Sequence, residues 1–377
     1  MKRVKFGDIV REVKIQVDRN NNPYPHYVAG DHMDSMDLTI RRKGCFATDD
    51  VGPAFIRIFK PGQVLYGSRR TYLKKIAVAD FEGICSNTTF VLETKDSNVF
   101  LQELLPFVML SDSFTKWSIS HSKGSTNPYV LFSDLANYEF TLPSLDEQKV
   151  LADKLWAAYR VKESYKKLLA ATDDMLKAKF QEMFGEDEKN KVPLHTVCET
   201  LIDGDWIESK DQSDSGVRLI QTGNIGVGEF KNKEDKSRFI SQDTFDRLNC
   251  TEIFPGDILI SRLPDPIGRA CILPKNLGKS ITAVDCTIIR LNDKMLPEFF
   301  IANTLSNYYN QQILSGIKGT TRLRISRRDL SLINILCPPL PLQQEFVAIA
   351  TQAEATKESL RKSIENIDQV IKSLINQ

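Results

Sequence analysis

Lys123-Gly124-Ser125-Thr126 returns 195 residues later as Lys318-Gly319-Thr320-Thr321, and reading these two stretches together decides the fold. At the same offset Ser120 meets Ser315, Asp134 meets Asp329 and Leu135 meets Leu330. Pro143, Leu145 and Gln148 likewise meet Pro338, Leu340 and Gln343. Upstream, the stretch from Pro61-Gly62 to Ser68-Arg69 resembles the one from Pro255-Gly256 to Ser261-Arg262, at an offset of 193–194. A colinear series that nearly keeps one offset across most of each half is a duplication, and a repeat of this length sets the architecture.

Each half runs in the same order. Short β-like stretches come first: Ala54–Phe59, Gln63–Tyr66, Ile76–Ala79 and Thr88–Leu92, then Gly256–Ser261 and Cys286–Leu291. Turn signals at Pro61-Gly62, Asn127-Pro128, Pro255-Gly256 and Pro264-Asp265-Pro266 punctuate them. A proline stop follows, Leu142-Pro143 or Cys337-Pro338-Pro339-Leu340-Pro341, where the fixed φ of proline suits a helix start. Beyond each stop, apolar residues recur every three to four positions among Lys, Glu, Asp and Gln. In the first run they are Leu151, Leu155, Ala158, Tyr165, Leu169, Thr172 and Leu176. In the second they are Phe346, Ile349, Ala353, Leu360, Ile364, Ile367, Val370 and Leu374.

A forty-residue helix spans roughly 60 Å at 1.5 Å per residue, too long for its stripe to be covered by one small domain. The pattern therefore predicts that the two helices pair, antiparallel rather than parallel, with packing of each helix on its own domain as the alternative. The expected fold is α+β. Two α/β domains, residues 1–143 and 185–338, are separated by a coiled-coil-like pair of long helices, residues 144–184 and 339–377, about a pseudo-twofold axis.

Composition narrows the function. The chain has 377 residues, 41% hydrophobic and 26% charged, as in an ordinary globular protein. The purest apolar run, around Leu104–Leu110, is far short of the ~20 residues a membrane span needs. The N-terminal MKRVKFGDIVREVK lacks an apolar signal core. Seven cysteines without a C-x-x-C, in a chain without an export signal, read as reduced thiols in a cytoplasmic protein. Net charge is +1, and residues 1–143 carry only 18 basic against 16 acidic groups. Any nucleic-acid contact must therefore be made by local clusters.

Catalytic signatures do not assemble. Gly62-x4-Gly67-Ser68-Arg69 lacks the Gly-Lys-Ser/Thr ending of a P-loop, and Gly223-x2-Gly226-x-Gly228 opens no clear helix. Asn22-Pro23-Tyr24 and Asn127-Pro128-Tyr129 lack the second proline of an adenine-methyltransferase loop, and no Gly-rich cofactor turn precedes them. Glu234, Asp235 and Lys236 read as a solvated loop rather than a nuclease site. Four histidines, His26, His32, His121 and His195, form no ligand-spaced cluster with cysteine.

Basic clusters remain. Arg41-Arg42-Lys43, Arg69-Arg70, Lys74-Lys75 and Lys123 lie in the first half. Arg262, Arg269, Lys318, Arg322, Arg324 and Arg327-Arg328 lie in the second. Small neighbours such as Ser125 and Thr320 let the backbone approach phosphate, while arginine can read guanine bidentately. The candidate DNA contacts are Arg41, Arg42, Arg69, Arg70, Lys74, Lys123, Ser125, Arg262, Arg269, Lys318, Thr320, Arg322 and Arg324. The Ser-Arg and Lys-Gly-Ser/Thr-Thr clusters are read as occupying matching places in the two halves.

Taken together, the chain resembles a type I restriction–modification specificity subunit. The resemblance rests on Tyr27–Asp34, Pro61–Arg70, Ser122–Tyr129 and Leu142–Gln148 in the first half. In the second it rests on Gln221–Ile225, Phe254–Arg262 and Pro338–Glu345. The most specific element is the proline-leucine entry into a long helix with its glutamine, present once per half. The resemblance implies a non-catalytic subunit in which each domain reads half of a split DNA site and the helices set the gap. It implies that two modification subunits dock along those helices and that motor-nuclease subunits join for cleavage. S-adenosylmethionine, ATP and magnesium would belong to those partners, and this chain would hold no cofactor and touch no membrane. The alternatives are a stand-alone DNA methyltransferase or nuclease with degenerate motifs, or a coiled-coil scaffold that never touches DNA.

Overall fold

The structure is a computed structural model describing residues 2–18, 21–185, 188–319 and 323–376. Two compact units emerge: Met1–Lys167 with Leu360–Gln377, and Leu168–Ser359. The dividing points fall inside the two long helices, so each helix contributes one end to each unit.

In the first unit the chain runs β1 (Lys2–Lys5), α1 (Phe6–Ile9), β2 (Val10–Glu12), β3 (His26–Val28), β4 (Gly44–Cys45) and β5 (Phe55–Phe59). It continues through β6 (Val64–Gly67), β7 (Ile76–Val78), β8 (Gly83–Ser86), β9 (Thr89–Thr94), α2 (Leu105–Leu110), α3 (Asp112–Ser120), α4 (Phe132–Ala136) and β10 (Glu139–Leu142) to α5 (Leu145–Phe184). One sheet is antiparallel in the order β2-β9-β6-β7; the other has the order β4-β3-β8-β5 with β3 and β8 parallel. A two-stranded ladder joins β1 to β10, Lys2 facing Leu142.

The second unit repeats this plan. Its strands and helices are β11 (Lys191–Pro193), β12 (Cys198–Asp203), β13 (Gln212–Ser213), β14 (Val217–Ile220), β15 (Arg238–Ile240), α6 (Gln242–Arg247), β16 (Ile258–Ser261) and β17 (Ala270–Ile272). Then come β18 (Ser280–Thr282), β19 (Cys286–Leu291), α7 (Pro297–Leu305), α8 (Asn307–Gly316), β20 (Ile317–Lys318), β21 (Arg324–Ile325), α9 (Arg327–Leu332), β22 (Asn334–Leu336) and α10 (Leu340–Ile375). Its antiparallel sheet β12-β19-β16-β17 matches β2-β9-β6-β7, and β14 lies parallel to β18 as β3 does to β8. The ladder β11–β22 repeats β1–β10.

The entries to the long helices show the duplication atom by atom. The Gln148 side chain accepts the Leu101 N–H at 3.0 Å and donates to the carbonyls of Val99 and Pro143, both at 3.0 Å. Gln343 accepts the Leu296 N–H at 2.9 Å and donates to the carbonyls of Lys294 and Pro338. Both glutamines are buried, and a primary amide supplies in one side chain the acceptor and the two donor hydrogens that these three backbone groups require. At the start of α5, Ser144 and Glu147 cap each other: the carboxylate accepts the Ser144 N–H at 2.8 Å and the Ser144 hydroxyl accepts the Glu147 N–H.

Within each unit the long helices run antiparallel, as the seam predicted. In the first, Lys162 of α5 meets Asp368 of α10; in the second, Asp173 of α5 meets Lys357 of α10. Phe180, Phe184, Phe299 and Phe346 form an aromatic cluster in the second unit, with ring centroids 5.0–6.0 Å apart. Helix pairing and packing on the domain, posed as alternatives from sequence, coexist. Leu155 and Tyr159 enter the first unit's main core, with Leu151, Ile367 and Leu374 packed against it. Leu360 is buried, while Tyr165, Leu169, Leu176, Ile349 and Ile364 are half-buried.

The seam itself needs correction. Val370 is 52% exposed whereas Ile371 is 8% exposed, and the inward positions 360, 364, 367, 371 and 374 alternate steps of four and three. On α5, Ala152, Tyr159 and Lys162 are buried beside half-buried Ala158 and Tyr165, because the helix covers more than one neighbour and so buries a wide arc.

Candidate nucleic-acid interface

In the first unit two loops are pinned side by side where β6 ends. Ser68 is buried; its N–H and hydroxyl both donate to the Thr88 carbonyl, at 3.1 and 2.6 Å, and its own carbonyl accepts the Val130 N–H at 3.0 Å. Arg69 bridges to Tyr129, and the Arg70 N–H donates to Pro128 at 2.7 Å. The second loop closes on itself through Lys123 and Tyr129, with N–H···O distances of 2.7 and 2.9 Å in the two directions. Gly124 takes a φ of +87° there, a left-handed turn that suits glycine. Lys123 Nζ lies 3.1 Å from Asp134, which ties the loop to α4.

Arg69 and Arg70 are thereby exposed on a held backbone, and among the described residues their guanidinium groups have no partner. Between Arg70 and Lys74, both at positive φ (50° and 47°), a single tight turn carries Tyr72 outward. Tyr129 is also exposed. Lys74 turns the other way, 3.2 Å from Asp112, and serves the fold. Ser125 lies in the exposed tip.

The second unit repeats the junction. Lys318 pairs with Arg324 across β20 and β21, Gly319 has a φ of +109°, and Lys318 Nζ lies 2.9 Å from Asp329, as Lys123 does from Asp134. Arg324 is exposed. Thr320 and Arg322 lie outside the described residues.

Arg262 corrects the sequence alignment. Its N–H donates to Asp285 and its carbonyl accepts the Ile325 N–H, the bonds that Ser68 makes with Thr88 and Val130. The structural match of Ser68 is thus Arg262, and the Ser-Arg recurrence is a slip of one residue. A one-residue slip reverses the direction of every side chain in a strand. Accordingly the Arg262 side chain is 8% exposed, donates to the carbonyls of Val284 and Ile325, and lies 3.3 Å from Asp203.

Arg269 is corrected likewise. It donates to the carbonyls of Thr222, Ile225, Leu263 and Pro266 at 2.7–2.8 Å, gathering two loops of its own unit. Arg41 is also a brace, 2.8 Å from Asp37 and 2.6 Å from Glu163 of α5. Arg42 reaches Asp34 and the Asp31 carbonyl.

One residue the sequence did not single out is Trp206, 70% exposed. Its neighbour Asp205 is bonded to Thr282 and Val284, beside the Arg262 strand end. Tyr72 was missed for the same reason, since solvent exposure of an aromatic leaves no local sequence signal. The buried thiols of Cys85, Cys271 and Cys286 are pushed up to about 12 by desolvation, which keeps them protonated and unreactive. Among the described residues no group of three His, Cys, Asp or Glu side chains is placed to hold a metal, and no helix is long and apolar enough to cross a membrane.

Two copies of one mixed α/β unit, each presenting a lysine-tethered loop with exposed arginine beside it, define a duplicated recognition protein. A family model described as the type I restriction modification DNA specificity domain matches residues 55–171 and 186–369. A type I restriction enzyme MjaVIII specificity subunit of Methanocaldococcus jannaschii is 26% identical over 330 residues, 78% of this chain and 73% of that protein. A structure described as the basis of complex assembly and conformational transition of the type I R-M system shares the fold at a TM-score of 0.59 and 21% identity, covering 99% of this chain and 96% of its own. A type I restriction-modification S subunit from M. genitalium does so at a TM-score of 0.55 and 12% identity, covering 99% and 94%. The chain belongs to the type I restriction–modification DNA specificity family, as a non-catalytic specificity subunit.

Proposed function

We propose that each unit reads one half of a split duplex DNA site through the loop junction just described. Arg69, Arg70, Lys123 and Ser125 serve in the first unit, and Lys318, Thr320, Arg322 and Arg324 in the second. The observation that carries this is the repeated junction: a tethered hairpin, Lys123–Tyr129 or Lys318–Arg324, beside the end of a central strand. A held backbone with uncommitted guanidinium groups suits phosphate positioning and base reading, because little side-chain partnering has to be broken on binding. Exposed Tyr72 and Trp206 offer apolar faces for thymine methyl groups or sugar edges.

In this reading the paired helices set the gap between half-sites, about one turn of DNA (~34 Å) or a multiple of it. Two modification subunits dock along the helices and motor-nuclease subunits join them. Exposed Leu168 and Met175, seven residues apart on α5, offer such a subunit an apolar stripe. S-adenosylmethionine, ATP and magnesium are carried by those partners, and the complex works in the cytoplasm.

The test is single-molecule sequencing of methylated adenines in a host carrying the modification subunit, with and without this chain. A bipartite motif that appears only with the chain is expected. Methylation unchanged by its loss would overturn the reading.

A further inference from the structure

Lys162 and Lys357 lie 195 residues apart, and so do Asp173 and Asp368; the four form two crossed ion pairs. Lys162 of α5 meets Asp368 of α10 at 2.5 Å in the first unit, and Lys357 of α10 meets Asp173 of α5 at 2.7 Å in the second. Asp173 lies eleven residues after Lys162 and Asp368 eleven after Lys357, so the two pairs belong to one register of the antiparallel helices. Each lysine occupies an inward position: the side chains are 9% and 8% exposed, while the aspartates sit at the rim, 43% and 51% exposed. Glu354, one turn before Lys357, also contacts its ammonium.

A lysine on an otherwise apolar face is a poor choice for stability alone. Replacing a buried ion pair with well-packed apolar residues is often neutral or stabilising. What a polar residue in a helix seam supplies is a penalty against wrong pairings. The penalty can be read from the sequence here. Sliding one helix past the other by a heptad, about 10 Å, would set Lys162 against Arg361 or Ile375. The same slide would set Lys357 against Lys166 or Phe180. Each alternative is a like-charge contact or an ammonium set against an apolar side chain in place of the partner helix's carboxylate, with Lys357 keeping only Glu354 of its own helix. The apolar steps, in contrast, recur with the heptad and tolerate the slide.

We propose that the crossed pairs Lys162–Asp368 and Lys357–Asp173 are the positioning residues that hold α5 and α10 in a single axial register, and thereby give the bipartite site one gap length. This rests on the reading of the helix pair as the spacer between half-sites.

The test uses the full chain assembled with its modification subunit, with the methylated motif read by single-molecule sequencing. Wild type is expected to methylate sites of one gap length. In K162L/D173L/K357L/D368L, which keeps the seam packed, methylation at other gap lengths is expected to rise at least tenfold. Lys162→Asp alone is expected to reduce methylation at the native gap at least tenfold, and adding Asp368→Lys to restore it to within about twofold.

A quadruple-leucine variant that methylates only the native gap would overturn the proposal. So would a K162D/D368K exchange that restores thermal stability without restoring the native gap. If the quadruple variant does not fold, the exchange decides alone. A wild-type complex that methylates no bipartite motif would refute the DNA-reading function itself, a result distinct from either.

Discussion

The Tyr159 hydroxyl on α5 donates to Oδ1 of Asp37 at 2.7 Å, and the same carboxylate lies 2.8 Å from Arg41 and 3.0 Å from Lys166. This cluster couples the loop after β3 to the long helix within the first unit. Burial pushes the Asp37 carboxyl up, but the hydrogen bonds from Arg41, Tyr159, the Thr39 N–H and Lys166 outweigh it and hold the group well below the usual carboxylate range.

Asp37→Ala is therefore expected to cost about 3 kcal/mol. That is the low end for opening a buried ion pair, because Arg41 and Lys166 are each about one-third exposed and screened by water. A carboxyl depressed in the folded state contributes fully above its unfolded value of about 3.9, and the contribution is lost as pH falls toward the native value. Urea unfolding at pH 7 and pH 3 should show the wild type losing more stability on acidification than Asp37→Ala does. Equal losses would show that the carboxylate is not anchoring the helix.

Gln148 and Gln343 make the same three hydrogen bonds at the two helix entries. Gln148→Ala and Gln343→Ala should each destabilise by about 1–3 kcal/mol, the penalty for unsatisfied buried backbone groups. The two losses should be similar in thermal denaturation of the full chain. A loss at one site only would show that the duplicated bonds are not energetically equivalent.

The seam correction separates neighbouring residues. Ile371→Ala should cost about 2–4 kcal/mol and Val370→Ala less than about 0.5, since only the first side chain leaves water on folding. The reverse order would place the seam where the bare apolar pattern first suggested.

Arg69 and Arg262 are expected to part company. Arg69→Ala should leave stability within about 0.5 kcal/mol of wild type, while lowering the slope of log affinity against log salt by about 1 if the group meets a phosphate. Arg262→Ala should cost about 1–3 kcal/mol, because it leaves the carbonyls of Val284 and Ile325 without their donors. Chemical denaturation beside a salt titration of DNA binding by the assembled complex reads both.

Much of this is legible in the amino-acid sequence. The 195-residue offset, the proline stops and the three-to-four spacing led to two α/β domains and two paired helices, because those signals are periodic and local. The glutamines stood out as repeated residues, but two of the three backbone bonds each one closes go to a chain segment 47–49 residues away. The basic clusters were legible only as composition. Whether an arginine is offered or spent depends on which way a strand faces and which carbonyls lie nearby.

The amino-acid order by itself determined that one module occurs twice and that each copy ends in a helix needing a partner, since repetition and amphipathic period are properties of the chain alone. Only the tertiary structure decided that Arg69 faces outward while Arg262 braces the interior, and that Lys162 and Lys357 find Asp368 and Asp173. Those outcomes depend on strand register and helix alignment, where a shift of a single residue turns a side chain from water to core.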